Sequence, residues 1–462
     1  VALSGKDEWG DFLPVHFRAF GEFKLPIYIY SVAIFVRAFG LNEFSVRAPA
    51  VLFSLGVVIL TFLLGMKITK SQAVGLLSSF FISISPWYFI FSRTGYEANA
   101  GLMFYLLGIY LFLRVRENSW FLTISIVSFI LSTYSYNSFR VITPLSLLVL
   151  ILINVNELLS VINKTKVSLI LSFIMILLST IPIYRLYAFD SGNSRFDAVR
   201  NFGLHSVIEN YFSHFKLSFL LNGDKNLRSQ QGGFGQLALP EFILIPLGLL
   251  FILNKKTKYL ISLIALILIS PIPAAITKES PHALRTISMA PLISILSSLG
   301  VLQLKRFLRT GFIYLLVITI MLIFFSSYIR NFITFYPIDS SKDWQYGYKQ
   351  IYLNFKNQFN NYERVIISDE YGQPYIFALF YLNYNPEKFQ KNVIRKDVSD
   401  WGFSTVSKFD KFEFGKVDRI IETNNIKNAL IFDSKQNKNS KLIPISTIDY
   451  LDGNPALWVY SL

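Results

Sequence analysis

The sequence predicts a polytopic α-helical membrane protein of about ten spans, with an interfacial helix near its start and a small extracytoplasmic α/β domain at its end. Three observations carry this: apolar runs of bilayer length, positive charge in every second link between them, and a turn to polar composition after Arg330. Of 462 residues 53% are hydrophobic and 44 are Phe, whereas only 16% are charged, a balance foreign to an ordinary soluble domain.

Apolar runs lie near 46–66, 73–92, 97–114, 119–136, 140–155, 167–187, 240–254, 258–277, 285–304 and 311–331. Most approach the ~20 residues that cross a hydrocarbon core. Lys67 and Lys70, Arg114 and Arg116, Lys164 and Lys166, Lys255, Lys256 and Lys258, and Lys305, Arg306 and Arg309 fall in alternate links, which are therefore cytoplasmic. The remaining links, the long stretch 188–239 and both termini are then outside. Leu25 to Gly40 would break that parity if it crossed. At 16 residues with Arg37 inside, it reads as a helix lying in the outer interface, with a re-entrant hairpin as the alternative. Val1 to Phe23 is polar and acid-containing, unlike a secretory leader, and a further spanning helix is expected upstream of Val1.

Residues 1–331 thus form a membrane domain, with 1–45 as the first outer loop and 188–239 as the long one, and residues 332–462 form a soluble domain. Within the latter, Trp344 to Phe359 and Pro374 to Leu382 have helical character, whereas Arg364 to Ser368 and Ala429 to Phe432 read as buried strands. The net charge of +15 is concentrated in the links and the polar tail, so it reports orientation rather than nucleic-acid binding. Cysteine is absent, which excludes a disulfide framework, a thiolate zinc site and a cysteine nucleophile.

Polar residues bordering the bilayer are costly unless hydrated or used, so the outer links hold the candidates. Asp7 and Glu8 could supply a general base near the surface; a solvated polar terminus is the plainer reading. Lys24, before Leu25 and Pro26, sits where an ammonium meets lipid phosphate, or where a lysine merely snorkels. Arg93, Tyr96 and Glu97 occupy a tight corner, where Arg93 could bind phosphate or pair with Glu97. In the later corner His282 and Arg285 would share a face of a continuing helix. The long loop carries His205, His214, Asp224, Arg228 and the run Gly232-Gly233-Phe234-Gly235, read as loop flexibility. The two histidines are nine apart, which is not a helical metal spacing; no metal ligand is assigned, and a divalent ion lacks support.

Asp7-Glu8, then Lys24-Leu25-Pro26, then Phe39-Gly40 followed by Arg47-Ala48-Pro49, together with the Ser92-Arg93 and Ser280-Pro281-His282-Ala283-Leu284-Arg285 corners, form a familiar series. It resembles the GT-C glycosyltransferases, in particular the bacterial relatives of the protein O-mannosyltransferases (glycosyltransferase family 39) and of the aminoarabinose transferase that modifies lipid A. Asn222 to Arg228 is similar to part of the long outer loop of bacterial members. The resemblance implies inverting transfer of a sugar from a polyprenyl-phosphate donor to an acceptor outside the cytoplasm, at the cell membrane. It implies Asp7 as base, Glu8 as its helper, Lys24 on the donor phosphate, and Arg93 and Arg285 against the leaving phosphate; Tyr96, Glu97, His282, Asp224 and Arg228 would be accessory. Two departures stand out: the family usually has Lys-Pro-Pro where this chain has Lys24-Leu25-Pro26, and many members carry Asp where it has Glu97. The rival readings are a flippase or transporter of lipid-linked glycan, which would need polar residues inside the spans, and a non-catalytic subunit of envelope assembly.

Overall fold

A computed structural model describes the chain except residues 20–21, 190–193, 201–202, 306–308, 398–404, 424–425 and 438–441. Arg306, and the parts of the long outer loop at 190–193 and 201–202, therefore lie outside the described residues. The chain divides into two compact units, one of Leu25–Arg330 and one of Leu3–Lys24 with Asn331–Leu462.

The first unit is helical. Its elements are α1 (Pro26–Phe39), α2 (Glu43–Thr69), α3 (Gln72–Ser83), α4 (Pro86–Phe89), α5 (Ala98–Phe112), α6 (Trp120–Thr133), α7 (Asn137–Ile153), α8 (Val155–Phe189), α9 (Ser194–Val199), α10 (Leu204–Ser213), α11 (Leu217–Asn222), α12 (Glu241–Lys255), α13 (Lys258–Ile269), α14 (Ile272–Ala275), α15 (Met289–Leu304) and α16 (Thr310–Thr334), the last running into the second unit. Each apolar run in the sequence is mainly helical here, although 73–92 is broken between Ser83 and Pro86 and 285–304 is helical only from Met289. Local chemistry sets the ends: Pro26 opens α1, and the Asn42 side chain caps α2 by accepting from the Ser45 amide.

Among the described residues four stretches are long and apolar enough to cross a membrane: Glu43–Thr69, Lys166–Phe189, Lys258–Ala275 and Gly311–Thr334. Gln72–Ser83 with Pro86–Arg93 makes a fifth if its 59° bend lies within one span. The other apolar helices are shorter; α5, with 15 residues, is about 22 Å long by helical rise. Leu315 and Ile323 on α16 and Val167 and Phe173 on α8 are more than 60% exposed, and such continuous apolar faces identify a membrane protein.

Helices meet through small residues and hydroxyls, as helices in lipid do. A methyl at Gly300 of α15 would come within 2.0 Å of the Leu244 carbonyl oxygen on α12, so only glycine allows this approach. The hydroxyls of Ser125 and Ser132 on α6 donate to the Gly108 and Gly101 carbonyls of α5 at 2.7 and 2.8 Å.

In the second unit, residues 3–24 carry a hairpin of β1 (Phe17–Ala19) and β2 (Glu22–Lys24), and the rest follows α16. Its helices are α17 (Tyr336–Asp339), α18 (Tyr348–Phe355), α19 (Pro374–Tyr381), α20 (Pro386–Asn392) and α21 (Val417–Thr423). Its strands are β3 (Arg364–Ser368), β4 (Ile394–Arg395), β5 (Val406–Phe409), β6 (Phe412–Gly415), β7 (Ala429–Asp433), β8 (Ile443–Asp449) and β9 (Pro455–Ser461). These strands form one sheet in the order β4-β5-β6-β3-β7-β9-β8, in which β3 is parallel to β6 and β7 and the other pairings are antiparallel. Val365, Ile366 and Ile367 are fully buried, as a strand with both neighbours parallel and both faces covered requires. Tyr348, Ile351 and Phe355 cover one face with Val365 and Ile367, and Val417 joins Ile366 and Ile431 on the other. Sequence reading grouped residues 3–24 with the membrane helices. The structure packs them with the C-terminal sheet unit, because that unit supplies the partners of Asp7, Glu8 and Trp9.

Candidate active site

Asp7 sits in a tight turn in which the backbone does the holding. Its Oδ1 accepts from the amides of Trp9 at 2.8 Å and Asp11 at 2.9 Å, and its own amide donates to the Asp11 carbonyl. The residue is only 6% exposed, and Oδ2 is buried with no hydrogen-bond partner among the described residues. A carboxylate fixed through one oxygen with the other unengaged is the arrangement a general base needs. Gln390 donates to the Asp7 carbonyl oxygen at 2.7 Å.

Glu8 points elsewhere. Arg395 Nη2 donates to its Oε1 at 3.1 Å and the Tyr375 hydroxyl to its Oε2 at 3.3 Å. Burial pushes the Glu8 carboxyl up, while the bonds from Arg395 and Tyr375 pull it back. The Arg395 and Arg18 guanidiniums lie over the Trp9 ring at 4.0 and 4.4 Å from its centre. Glu8 is thus an ion-pair partner, and of the two carboxylates Asp7 has the unengaged oxygen. Lys24 ends β2 opposite Phe17, two residues before the proline that opens α1.

In the helical unit, the corner after α4 turns Arg93 back on itself: Nη1 donates to the Phe89 carbonyl at 2.6 Å, and the guanidinium lies 3.3 Å from the Phe89 ring centre. Tyr96 packs edge-on against Phe91, and Glu97 precedes α5. Tyr136, before α7, is within electrostatic reach of Arg285, Glu97 and Tyr96, so three corners of the helical unit converge. Glu97 also acts on Tyr28 of α1, whose hydroxyl donates to the Val46 carbonyl at 2.7 Å. Tyr136 and Tyr28 belong to this cluster but were not singled out as site residues from sequence.

The corner at 280–286 is not the helix that the three-residue spacing of His282 and Arg285 implied, because α15 begins only at Met289. Its amides are bound elsewhere: His282 N–H donates to His214 Nε2 at 3.1 Å and Ala283 N–H to Asp224 Oδ2 at 2.8 Å. His214 Nδ1 lies 2.9 Å from the Asn210 carbonyl, so the network assigns the neutral tautomer with its proton on Nδ1. Burial lowers His214 to about 4; burial and Arg285 lower His282, whose Nδ1 is buried without a partner among the described residues, to about 3. Burial pushes the Asp224 carboxyl up against the pull of its amide bonds. His282 and Arg285 still feel each other, but Arg285 is held by Glu279 Oε2 at 3.0 Å and Thr277 Oγ1 at 2.8 Å. Ser218, Asn222, Asn226, Lys278 and Ser280 line an open cleft of about 670 Å³ beside Asp224. Arg228 is exposed on the same turn, its amide bonded to the Asn226 side chain. Gly235, read from sequence as flexible, is a packing position: a methyl there would lie 2.2 Å from the Leu221 backbone. Among the described residues no three His, Cys, Asp or Glu side chains group to hold a metal.

No protein-family model matches the chain, and no curated protein sequence does. Among solved structures, apo ArnT from Cupriavidus metallidurans superposes with a TM-score of 0.63 at 11% identity, covering 100% of this chain and 90% of ArnT. The same ArnT bound to undecaprenyl phosphate superposes at 0.62 with 11% identity, covering 97% and 90%. The chain has the GT-C fold. ArnT is the lipid A aminoarabinose transferase, and the match covers both units of this chain.

Proposed function

We propose that this GT-C chain is an integral-membrane glycosyltransferase that moves a sugar from a polyprenyl-phosphate donor to an acceptor on the extracytoplasmic side of the cell membrane, with inversion. The observation that carries the reading is the fold shared along nearly the whole chain with an ArnT solved on undecaprenyl phosphate. In this reading Asp7 takes the proton of an acceptor hydroxyl, whose oxygen attacks the anomeric carbon as the bond to the phosphate oxygen breaks. Polyprenyl phosphate leaves with the bonding pair. Lys24 holds the donor phosphate, while Arg93 and Arg285 oppose the charge that grows on it. Glu8 assists through its neighbour, and Tyr96, Glu97, His282, Asp224 and Arg228 shape the surroundings. The topology that goes with this is about ten spans, α1 in the outer interface, and the unit bearing the acidic pair outside.

A panel of polyprenyl-phosphate hexoses and pentoses, incubated with the reconstituted protein and an envelope extract as acceptor source, tests the reading. Release of polyprenyl phosphate from one of them supports it and names the sugar class. A panel that stays intact contradicts it.

A further inference from the structure

We infer that the C-terminal sheet domain positions the acidic pair, acting through Arg395 and Gln390; this rests on the reading of Asp7 as the base. The segment carrying Asp7 and Glu8 has little structure of its own. It has two three-residue strands, one isolated bridge between Lys6 and Phe12, and turns. Such a segment cannot hold a carboxylate to the tolerance that proton transfer needs.

The rigidity comes from residues some 370–390 positions later, a separation read directly from the numbering. Gln390, on α20, fixes the Asp7 carbonyl, and with it the turn whose amides orient Oδ1. Arg395, on strand β4, takes Glu8 in an ion pair and covers Trp9 with its guanidinium plane. Tyr375, on α19, completes the hold on Glu8. Behind them the packing is continuous into the sheet: the Tyr375 ring stacks on Phe389 at 6.1 Å, and Phe389 meets the fully buried Phe409 of β5 edge-on at 5.3 Å. Arg395 itself is registered against Val406 of β5.

Two consequences separate positioning from mere anchoring. Arg395 compensates the Glu8 charge beside Asp7, so its loss lets Glu8 keep its proton to higher pH. A guanidinium both pairs with the carboxylate and stacks on the indole, which an ammonium reproduces only in charge.

The experiment compares full-length wild type with Arg395→Ala, Arg395→Lys and Gln390→Ala in liposomes, reading donor turnover against donor concentration and pH, and amide hydrogen exchange over residues 7–11. Arg395→Ala is expected to lower kcat by about 10- to 100-fold with donor KM within about twofold, because misplacing a reacting group by about 1 Å costs that much while donor binding is untouched. The acid limb of kcat moves to higher pH, the Trp9 and Asp11 amides exchange faster, and Arg395→Lys recovers part of the rate. Unchanged kcat, or unchanged exchange at Trp9 and Asp11, overturns the positioning role. If Arg395→Ala also loses protection in β3 and β7 it has unfolded the domain, and Gln390→Ala decides by the same two readouts. A wild type that turns over no donor overturns the transferase reading instead, and the exchange arm still reports whether these side chains hold the turn.

Discussion

At the scale of single residues, charges are placed by what holds them. Lys24 stands at the end of β2, two residues before the proline that opens an apolar helix, and the proposed function gives its ammonium the donor phosphate. Lys24→Ala is therefore expected to raise the donor KM by about 10- to 100-fold, the worth of one charge-assisted hydrogen bond, with kcat changed less. An unaltered donor KM returns Lys24 to a snorkelling anchor. The histidines make a different prediction. His214 accepts from the His282 amide only while neutral, and its folded-state pKa of about 4, like the value of about 3 at His282, lies below the ordinary 6.5. For a base with a depressed pKa, the unfolded chain binds protons first as pH falls. The stability contributed by the neutral rings is thus intact above about 6.5 and lost progressively toward pH 4. Thermal unfolding in detergent should show a midpoint that drops over that window, and His214→Gln, which cannot take up the proton, should flatten the drop. A wild-type midpoint flat from pH 7 to 4 contradicts the neutral-histidine clamp.

At the scale of elements, helices were legible wherever the determining pattern is local. Each apolar run became mainly helical, and the strands β3 and β7 were found because their residues are apolar on both faces. The break after Ser83 was hidden, since a proline at 86 could as well have bent a continuing span. Strands β5 and β6 escaped notice because each is only four residues long, and β9 because it is shared between β7 and the preceding β8. The site divided in the same way. Asp7, Glu8, Lys24 and the corner arginines were singled out as candidates from motif order, whereas the contacts of Arg395, Tyr375 and Gln390 with the acidic pair were not, because nothing in their local sequence announces a partner hundreds of residues away. The corner at His282 was misread as helix because His214 and Asp224, which take its amides, lie some 60–70 positions earlier. Close helix contact also leaves a testable mark. Gly300→Val would drive a side chain into the Leu244 carbonyl and is expected to cost about 1–3 kcal/mol, read as a lower unfolding midpoint. A midpoint equal to wild type would mean that α12 and α15 are free to separate.

At the scale of the whole molecule, the composition divides into a helical unit with lipid-ready faces and a sheet unit that also contains the acidic pair. The alternation of basic links predicts that the sheet unit is extracytoplasmic. Protease added outside intact cells should then cut within residues 331–462, and protection there with cleavage in inside-out vesicles would invert the topology. The ArnT match establishes the fold, and turnover identifies sugar, acceptor and chemistry. The most direct measurement is the rate of polyprenyl phosphate release in liposomes by wild type and by Asp7→Asn, which keeps the turn-capping oxygen but cannot take a proton. A loss of about 10²- to 10⁴-fold, the contribution of a general base, with donor binding retained, is the predicted result. Equal rates for the two proteins would contradict Asp7 as the base and, with it, the account of the acidic pair.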